Sequence, residues 1–188
     1  MQILDDFLPI SLSNTLETIL TTSGEFPWYL ISCTSGYHPT ETILDDKTLD
    51  SPQFVYYFKN GITMFQNINL VMPLYHAIQA REKKKFDINR MKSNLLYKNS
   101  SYPTDFHHMA HRDHNFPNFK SLLYYVNDSD GDTFFFNKTD LTLTERITPK
   151  KNRAVFFDSD TFHASSSPKE TEFRVVVNMI LEEVDISL

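Results

Sequence analysis

The second half of the chain is a succession of short segments rich in β-branched and aromatic residues, and this feature narrows the fold more than any other. Turn-forming clusters such as NDSDGD and SSSPKE separate the segments. Many short strands at this spacing predict a β-sandwich or a β-barrel. We expect segments 121–127 and 132–137 to pair as a hairpin through a tight Asp130-Gly131 turn. The six predicted strands are FDINRMKSNLLY, KSLLYYVN, DTFFFN, ERITP, RAVFFD and EFRVVVNMIL.

The first 85 residues have a different sequence pattern, in which apolar residues often recur at helical spacing. The apolar residues of SLSNTLETIL stand at helical spacing, and a second helix is predicted from about 67 to 84. FPWYLISC, from about 26 to 33, is aromatic and β-branched enough to form a strand. No repeat, low-complexity tract or linker divides the sequence. Residues 1–188 are therefore predicted to be one α+β domain, mainly β, with residues 1–85 as a helix-containing N-terminal support.

Charge and cysteine content argue against several classes of protein. The formal net charge of −6 disfavours a nucleic-acid backbone as the main partner. Cys33 is the only cysteine, so neither an internal disulfide nor a cysteine-ligated metal framework can form. The N-terminus lacks the pattern of a signal peptide, and no apolar stretch approaches the roughly 18 residues of a membrane span. We expect a soluble, cytoplasmic protein without a membrane partner.

The stretch HHMAHRDH, residues 107–114, contains four of the seven histidines. In an extended strand residues i and i+2 share a face, so the side chains of His111 and Asp113 would converge. His163, 52 positions further on, supplies a third ligand. Two histidines and one carboxylate form the set that non-haem Fe(II) oxygenases use. A His-x-Asp tripeptide also occurs by chance, so surface or hydrogen-bonded histidines are the alternative, and the choice of His111 over His108 rests on its spacing to Asp113.

Arg174 lies in the apolar run EFRVVVNMIL, on the same predicted strand face as Val176 and Asn178. A guanidinium in so apolar a strand is costly to bury unless an anion meets it, and a dicarboxylate ligand would do so through a bidentate pair. An internal salt bridge or a solvated edge strand are the alternatives. Tyr125 is a second possible donor to that anion, and the alternative for it is a core tyrosine.

Taken in order, these motifs resemble the Fe(II)/2-oxoglutarate-dependent dioxygenases. The order is His111-x-Asp113, LLYYVN, a glycine turn before TFFF, AVFFDSDTFHAS and EFRVVVNM. Within that family the sequence is most similar to the prolyl-4-hydroxylase-like branch, particularly its small microbial and phage-encoded members. The resemblance covers about residues 86 to 182, and DDFLP with Trp28 is similar to the opening of that branch.

The resemblance implies a double-stranded β-helix (jelly-roll) core over residues 86–182, backed by the N-terminal helices. It makes His111, Asp113 and His163 the ligands of Fe(II). The family's frequent Gly-Gly before the next strand is Gly131-Asp132 here, which leaves the role of that turn open.

The resemblance also implies which residues bind the cosubstrate 2-oxoglutarate. Arg174 matches the basic residue that binds the C5 carboxylate, and Tyr125 matches a tyrosine that shares this task. Asn178 stands where members often place a polar residue beside the cosubstrate. A further tyrosine often contacts the other end of 2-oxoglutarate, and both Tyr97 and Tyr102 are candidates for it.

The implied activity is hydroxylation with O2 as oxidant and release of succinate and CO2, with ascorbate as an optional reductant. The substrate stays open among peptidyl proline, another protein side chain, a small molecule and a nucleotide, and only family analogy favours a protein or peptide. We expect its selectivity to lie in loops 34–52, 98–110 and 138–150. The alternatives are a non-catalytic jelly-roll module that binds a metal or small anion, and a metal-dependent hydrolase. The oligomeric state is left open.

Overall fold

The computed structural model describes residues 1–34, 42–43 and 45–184. In this part of the chain eight strands form one antiparallel sheet, called the large sheet, and five form another, the small sheet. The large sheet contains β1 (Gln2–Leu4), β2 (Tyr29–Ile31), β4 (Gln53–Asn60), β5 (Thr63–Met64), β6 (Phe86–Tyr97), β8 (Phe119–Tyr125), β11 (Ala154–Asp158) and β13 (Phe173–Glu183). The small sheet contains β3 (Thr42–Ile43), β7 (Ala110–His111), β9 (Thr133–Phe136), β10 (Leu143–Ile147) and β12 (His163–Ser165).

The order of strands shows that the chain passes repeatedly between the two sheets. The large sheet has the order β1-β11-β8-β13-β6-β4-β2, with β5 also paired to β4. The small sheet has the order β10-β9-β12-β7-β3. From β6 to β13 nearly every connection crosses from one sheet to the other, which is the strand arrangement of a jelly roll. The prediction of a mainly-β α+β fold is confirmed.

Helices cover the outer face of the large sheet. They are α1 (Ile10–Glu17), continued by a π-helical turn (Thr18–Thr22), and α2 (Ile68–Glu82). Leu16, Leu74 and Ile78 are buried against apolar side chains of β6 and β13. Both predicted helices are therefore present, and α2 is slightly shorter than predicted. None of the helices in the described part of the chain is long and apolar enough to cross a membrane.

The alternation predicted for β13 divides its side chains between two environments. Val175, Val177 and Met179 pack into the outer core under the helices. The side chains between them face the interior between the two sheets, where a second apolar cluster joins the sheets. That cluster consists of Leu123, Tyr125, Phe135, Ile147, Val155, Phe157 and Val176.

The hairpin predicted through Asp130-Gly131 is wrong. The strand within 121–127 is β8, which pairs with β11 and β13 in the large sheet. The strand within 132–137 is β9, which pairs with β10 and β12 in the small sheet. The side chain of Asn127 accepts a hydrogen bond from the amide of Val175 and donates one to the carbonyl of Phe173. These bonds fix the chain beside β13 as it leaves β8, so the segment crosses between the sheets.

The N-terminal residues supply strands as well as helices. β4 pairs with β6, and β1 pairs with β11, so residues before 85 extend the large sheet at both of its sides. The strand predicted at about 26–33 is present as the shorter β2. β4 was not predicted, although it is one of the longer strands.

Candidate metal centre and cosubstrate pocket

His111, Asp113 and His163 meet in the interior, at the ends of two neighbouring strands of the small sheet. His111 ends β7 and His163 begins β12, and the two are direct neighbours in the register of these strands. Asp113 follows β7 by two residues, as the i, i+2 spacing predicts. The candidate ligand atoms of the three side chains all lie within 4.8 Å of one another. Nε2 of His163 is 3.7 Å from Oδ2 of Asp113.

Backbone carbonyl groups orient both imidazole rings. Nδ1 of His111 lies 3.2 Å from the carbonyl oxygen of Met109, and Nδ1 of His163 lies 3.0 Å from that of Thr161. Each Nδ1 must carry the proton to donate this bond, which leaves the lone pair on Nε2. Metal-bound histidines commonly donate their other ring N–H to such an acceptor. The two rings therefore have the tautomer that a metal ligand needs.

The carboxylate of Asp113 is buried and accepts three hydrogen bonds, which leave a lone pair on Oδ1 for a metal ion. Arg90 Nη2 donates to Oδ1 at 2.8 Å, and Oδ2 accepts from Ser121 Oγ at 2.7 Å and from Asn178 Nδ2 at 3.0 Å. Burial alone would raise the pKa of Asp113, but the nearby His163 and the Arg90 guanidinium hold it well below its usual range. Asp113 is thus an oriented anion at neutral pH.

The protonation states of the triad fit a divalent metal ion. Burial, together with the neighbouring His163, lowers the pKa of His111 to about 3, so its imidazole is neutral at physiological pH. A neutral imidazole and an ionised carboxylate are the forms that bind a metal. Two nitrogen ligands and one oxygen ligand suit Fe(II) and leave coordination positions open.

Arg174 is buried near the start of β13, a central strand of the large sheet, with 3% of its surface exposed. Its Nε donates to the carbonyl oxygen of Gly131 at 2.7 Å, and its Nη2 donates to Oγ1 of Thr133 at 2.8 Å. The guanidinium lies over the ring of Tyr125, 5.7 Å from the ring centroid. β13 is flanked by β6 and β8, and Arg174 makes no ion pair within the described residues. Neither an internal salt bridge nor a solvated edge strand therefore accounts for it.

Thr133 links Tyr125 to Arg174 and was missed in the sequence. Its Oγ1 accepts from the hydroxyl of Tyr125 at 2.8 Å and also from Arg174. Both lone pairs of this oxygen are used, so its own proton is available to a ligand. Burial raises the pKa of Tyr125, which keeps the phenol protonated and donating. The three side chains together form a donor cluster that suits a carboxylate.

One open cavity joins this donor cluster to the triad. It comprises about 440 Å³, including the solvent at its mouth. The residues predicted from the sequence that line it are His111, Asp113, His163, Arg174 and Asn178. Tyr125 reaches it only through Thr133. A candidate metal centre and a buried, unpaired guanidinium therefore face one space.

The comparisons with known proteins agree with this geometry. Residues 97–182 match the 2OG-Fe(II) oxygenase superfamily. This part of the chain is a 2OG-Fe(II) oxygenase domain. The match confirms the predicted family, its enzyme class and its use of Fe(II) and 2-oxoglutarate. No curated protein matches the sequence.

Solved structures share the fold of this chain over almost its whole length. A prolyl hydroxylase from Trichoplax adhaerens, in complex with a hypoxia inducible factor peptide fragment, has a TM-score of 0.60 at 13% identity, covering 97% of this chain and 83% of that one. A Pseudomonas putida prolyl-4-hydroxylase has a TM-score of 0.58 at 16% identity, covering 96% and 91%. An alpha ketoglutarate dependent carbocyclase from nogalamycin biosynthesis has a TM-score of 0.65 at 10% identity, covering 97% and 79%. The double-stranded β-helix fold is thereby confirmed.

The remaining histidines of HHMAHRDH do not line the cavity. His108 is buried beside Ser51, Ser167 and Asp50, with its Nδ1 3.5 Å from Oδ1 of Asp50. His107 packs against Phe134 and Phe136 on the other face of the small sheet. The structure thus brings His111, and not His108, to Asp113 and His163.

Neither tyrosine considered for the far end of 2-oxoglutarate lines the cavity. Tyr97 is 56% exposed at the end of β6 and packs against Phe54. Tyr102 is buried, and its hydroxyl donates to the carbonyl oxygen of Leu49 at 2.9 Å. Two polar side chains of β6 line the cavity instead. They are Lys92 and Asn94.

Lys92 stands out among these side chains because it is a lysine inside the sandwich. Burial lowers the pKa of Lys92 to about 7, and the nearby Arg90 guanidinium adds to that effect. Asn94 lies two residues further along the same face of β6. The alternation of polar residues in RMKSN was the available signal, but a polar strand face ordinarily faces solvent.

Gly131 is expected to be indispensable to the packing around Arg174. A Cβ at this position would lie 2.6 Å from the carbonyl oxygen of Ser166 and 3.0 Å from Cδ of Arg174. We expect Gly131→Ala to lower the free energy of unfolding by about 3 kcal/mol, at the upper end of overpacking effects. Urea denaturation would measure the change.

Gly24→Ala is the control for that substitution. Its backbone has φ of +67°, and an added Cβ meets no atom within 4 Å. Only the left-handed backbone penalty of about 1 kcal/mol applies there. A Gly131→Ala protein as stable as Gly24→Ala would contradict the close packing.

Proposed function

We propose that this protein is a 2-oxoglutarate-dependent hydroxylase that releases succinate and CO2. One observation carries the proposal: a His-Asp-His triad and a buried guanidinium without an ionic partner in the described residues line the same cavity. His111, Asp113 and His163 would hold Fe(II). Fe(II) with 2-oxoglutarate and O2 supplies the oxidising chemistry, which is that of the cofactor and not of the protein.

The contribution of the chain is to orient the cosubstrate and to exclude water. Arg174 would bind the C5 carboxylate, and the hydroxyl of Thr133 would donate a hydrogen bond to the same group. Tyr125 would hold Thr133 in place through its hydroxyl. A charge-assisted contact of this kind gains strength in a dry interior. The keto end of the cosubstrate would then lie toward the triad.

Asn178 acts on Asp113 rather than on the cosubstrate in this proposal. Its Nδ2 donates to Oδ2 of Asp113, and its Oδ1 accepts from Arg90 at 3.4 Å. Arg90 and Ser121, both missed in the sequence, hold the same carboxylate. These three residues would fix the orientation of the metal ligand, a task for which hydrogen-bonded neighbours of ligands are commonly used.

The substrate class is proposed only broadly, as a protein or peptide side chain or a small molecule. The fold shared with a prolyl hydroxylase that was solved with a peptide supports a protein or peptide substrate. The fold shared with a carbocyclase supports a small molecule. Of the three loops expected to select the substrate, 34–52 places Thr34 on the cavity, whereas residues 35–41 and 44 lie outside the described residues. Cytoplasmic location also stays a prediction.

Turnover of 2-oxoglutarate tests the proposal directly. The purified protein would be supplied with Fe(II), 2-oxoglutarate, ascorbate and O2, and succinate would be measured by NMR. We expect succinate only when all of Fe(II), 2-oxoglutarate and O2 are present, and a weak visible band of the Fe(II) chelate under anaerobic conditions. Binding without succinate formation would indicate a non-catalytic module. Product formation without O2 would indicate a hydrolase. Mass spectrometry of peptides and metabolites would then search for products that have gained one oxygen atom.

A further inference from the structure

Three side chains of β6 form a polar row inside the sandwich. Arg90, Lys92 and Asn94 alternate with Met91, Ser93 and Leu95. The latter three are buried on the opposite face of the sheet, which the helices cover. In the register with β13, Lys92 lies opposite Asn178 and Asn94 lies opposite Val176. The row therefore runs along the cavity from the metal centre toward the level of Arg174.

Lys92 has no ion-pair partner among the described residues, whereas the other cations of the polar row and the cavity have assigned roles. Arg90 is paired with Asp113. Arg174 is the group that the proposed function assigns to the C5 carboxylate of 2-oxoglutarate. Lys92 lines the cavity but makes no ion pair or hydrogen bond with the described residues. The carboxylate whose charge acts on this partly buried lysine is that of Asp113, which is already paired with Arg90. The position therefore favours a ligand that brings an anion of its own.

Asn94 gives a second, independent sign of a ligand. Its Oδ1 is inaccessible to solvent and accepts no hydrogen bond from any residue that the structure describes. An unsatisfied buried acceptor costs roughly 1–3 kcal/mol. A ligand with an N–H or O–H group would satisfy it, whereas a carboxylate oxygen alone would not.

The polar row is separate from the groups assigned to the cosubstrate. Arg174 and Tyr125 lie on β13 and β8, with Thr133 of the small sheet beside them. Lys92 and Asn94 lie one strand away, on the opposite flank of β13, and β4 continues the sheet beyond them. Gln53 of β4 and Thr34 line the cavity on this flank. The cavity thus has two sides. Arg174 and Thr133 line one side, and polar side chains of β6 and β4 line the other.

We propose that Lys92 and Asn94 form the subsite for the primary substrate, and that this substrate is a carboxylate with a hydroxyl or amino group beside it. Lys92 binds the carboxylate, and Asn94 Oδ1 accepts from the neighbouring donor. The inference rests on the proposed function, because that function assigns Arg174 to 2-oxoglutarate. It narrows the substrate to a hydroxy acid, an amino acid or a chain terminus that presents the same two groups.

Small probes test the subsite without knowledge of the natural substrate. The protein would be loaded with Zn(II) and N-oxalylglycine, an unreactive amide analogue of 2-oxoglutarate, so that Arg174 is occupied. Glycolate, acetate and glycolamide would then be titrated by ligand-observed NMR. We expect glycolate to bind best, because it alone has both a carboxylate and a hydroxyl donor. Glycolamide lacks the charge and acetate lacks the donor.

Variants separate the two residues. Lys92→Met should weaken glycolate and acetate about tenfold or more, the usual size of a charge-assisted contact, and leave glycolamide unchanged. Asn94→Leu should remove the preference for glycolate over acetate while acetate still binds. Lys98→Met, an exposed lysine directly after β6, should change none of the affinities.

Two outcomes overturn the subsite. In one, the native protein binds glycolate no better than glycolamide. In the other, Lys92→Met weakens N-oxalylglycine about tenfold and leaves glycolate unaffected, which would assign the lysine to the cosubstrate. Should Zn(II) or N-oxalylglycine fail to bind, the proposed function fails by itself. The glycolate titration would then be made on metal-free Arg174→Met protein, in which Lys92 remains the unpaired cation of the cavity.

Discussion

Asp113→Ala is expected to abolish tight Fe(II) binding and all formation of succinate. The substitution removes one of three ligands and the only anion among them, so the two histidines alone would have to hold the ion. Metal affinity would be measured by calorimetry with Co(II) or anaerobic Fe(II), and succinate by NMR. Retained iron-dependent succinate formation in this variant would show that Asp113 is not a ligand of the metal.

Loss of folding could imitate this result, because Asp113 also meets the Arg90 guanidinium in the interior. Removing one partner of a buried ion pair costs about 3–5 kcal/mol. Asp113→Asn keeps the shape and a carbonyl oxygen for Ser121, so it should fold more readily and still bind metal poorly. Asp158→Ala is the surface control. It removes an ion pair with Lys120 that is largely exposed, so metal binding and activity should not change.

The strands of the second half could be predicted because their sequences agree with their final environment. FDINRMKSNLLY corresponds to β6 residue for residue, and β13 begins at Phe173 within EFRVVVNMIL. β-branched and aromatic residues at alternating positions fit a pleated, half-buried surface. The same alternation placed Arg174 and Asn178 on one face of the strand, which is the interior face in the structure.

β4 was missed for a physical reason. Phe54, Tyr56 and Phe58 pack toward the helices, while Val55 and Tyr57 face the other side of the sheet. Both faces are largely apolar, so QFVYYFKN lacks the alternation of polar and apolar residues that marks a half-exposed strand. A short apolar run of this kind cannot be assigned by periodicity alone.

The error at Asp130-Gly131 shows the limit of local turn chemistry. A glycine after an aspartate is a strong hairpin signal when nothing else restrains the chain. Here the carboxylate of Asp130 accepts hydrogen bonds from the amides of Lys169, Glu170 and Thr171, which are remote in sequence. Gly131 is required for the close approach of Ser166 and Arg174, not for a two-residue turn. Tertiary partners therefore decide which strands follow.

The candidate site divides in the same way. The triad and Arg174 could be predicted because each is chemically conspicuous in an apolar strand or at a two-residue spacing. Thr133, Ser121 and Asn94 could not, because small polar residues in strands have no pattern of their own. Their roles depend on which strands become neighbours, and that is a property of the whole sheet order.

Arg174→Ala is expected to raise the KM for 2-oxoglutarate by about ten- to a hundredfold. A charge-assisted contact is worth roughly 1.5–3 kcal/mol, and each 1.4 kcal/mol corresponds to about tenfold in affinity. The substitution also removes the donor to Thr133, so the hydroxyl of that residue loses its fixed orientation. Initial rates of succinate formation over a range of 2-oxoglutarate concentrations would measure the effect.

Two further variants decide whether the effect comes from the charge and its geometry. Arg174→Lys keeps a cation but loses the fork that contacts Gly131 and Thr133, so its KM should lie between those of the native protein and Arg174→Ala. Arg153→Ala removes a guanidinium at the surface, where it pairs with Asp5, and should leave KM unchanged. An unchanged KM in Arg174→Ala would mean that another cation binds the C5 carboxylate. Lys92 is the other cation among the described residues that line the cavity. That result would also remove the basis for a separate substrate subsite, because a single lysine cannot serve both carboxylates.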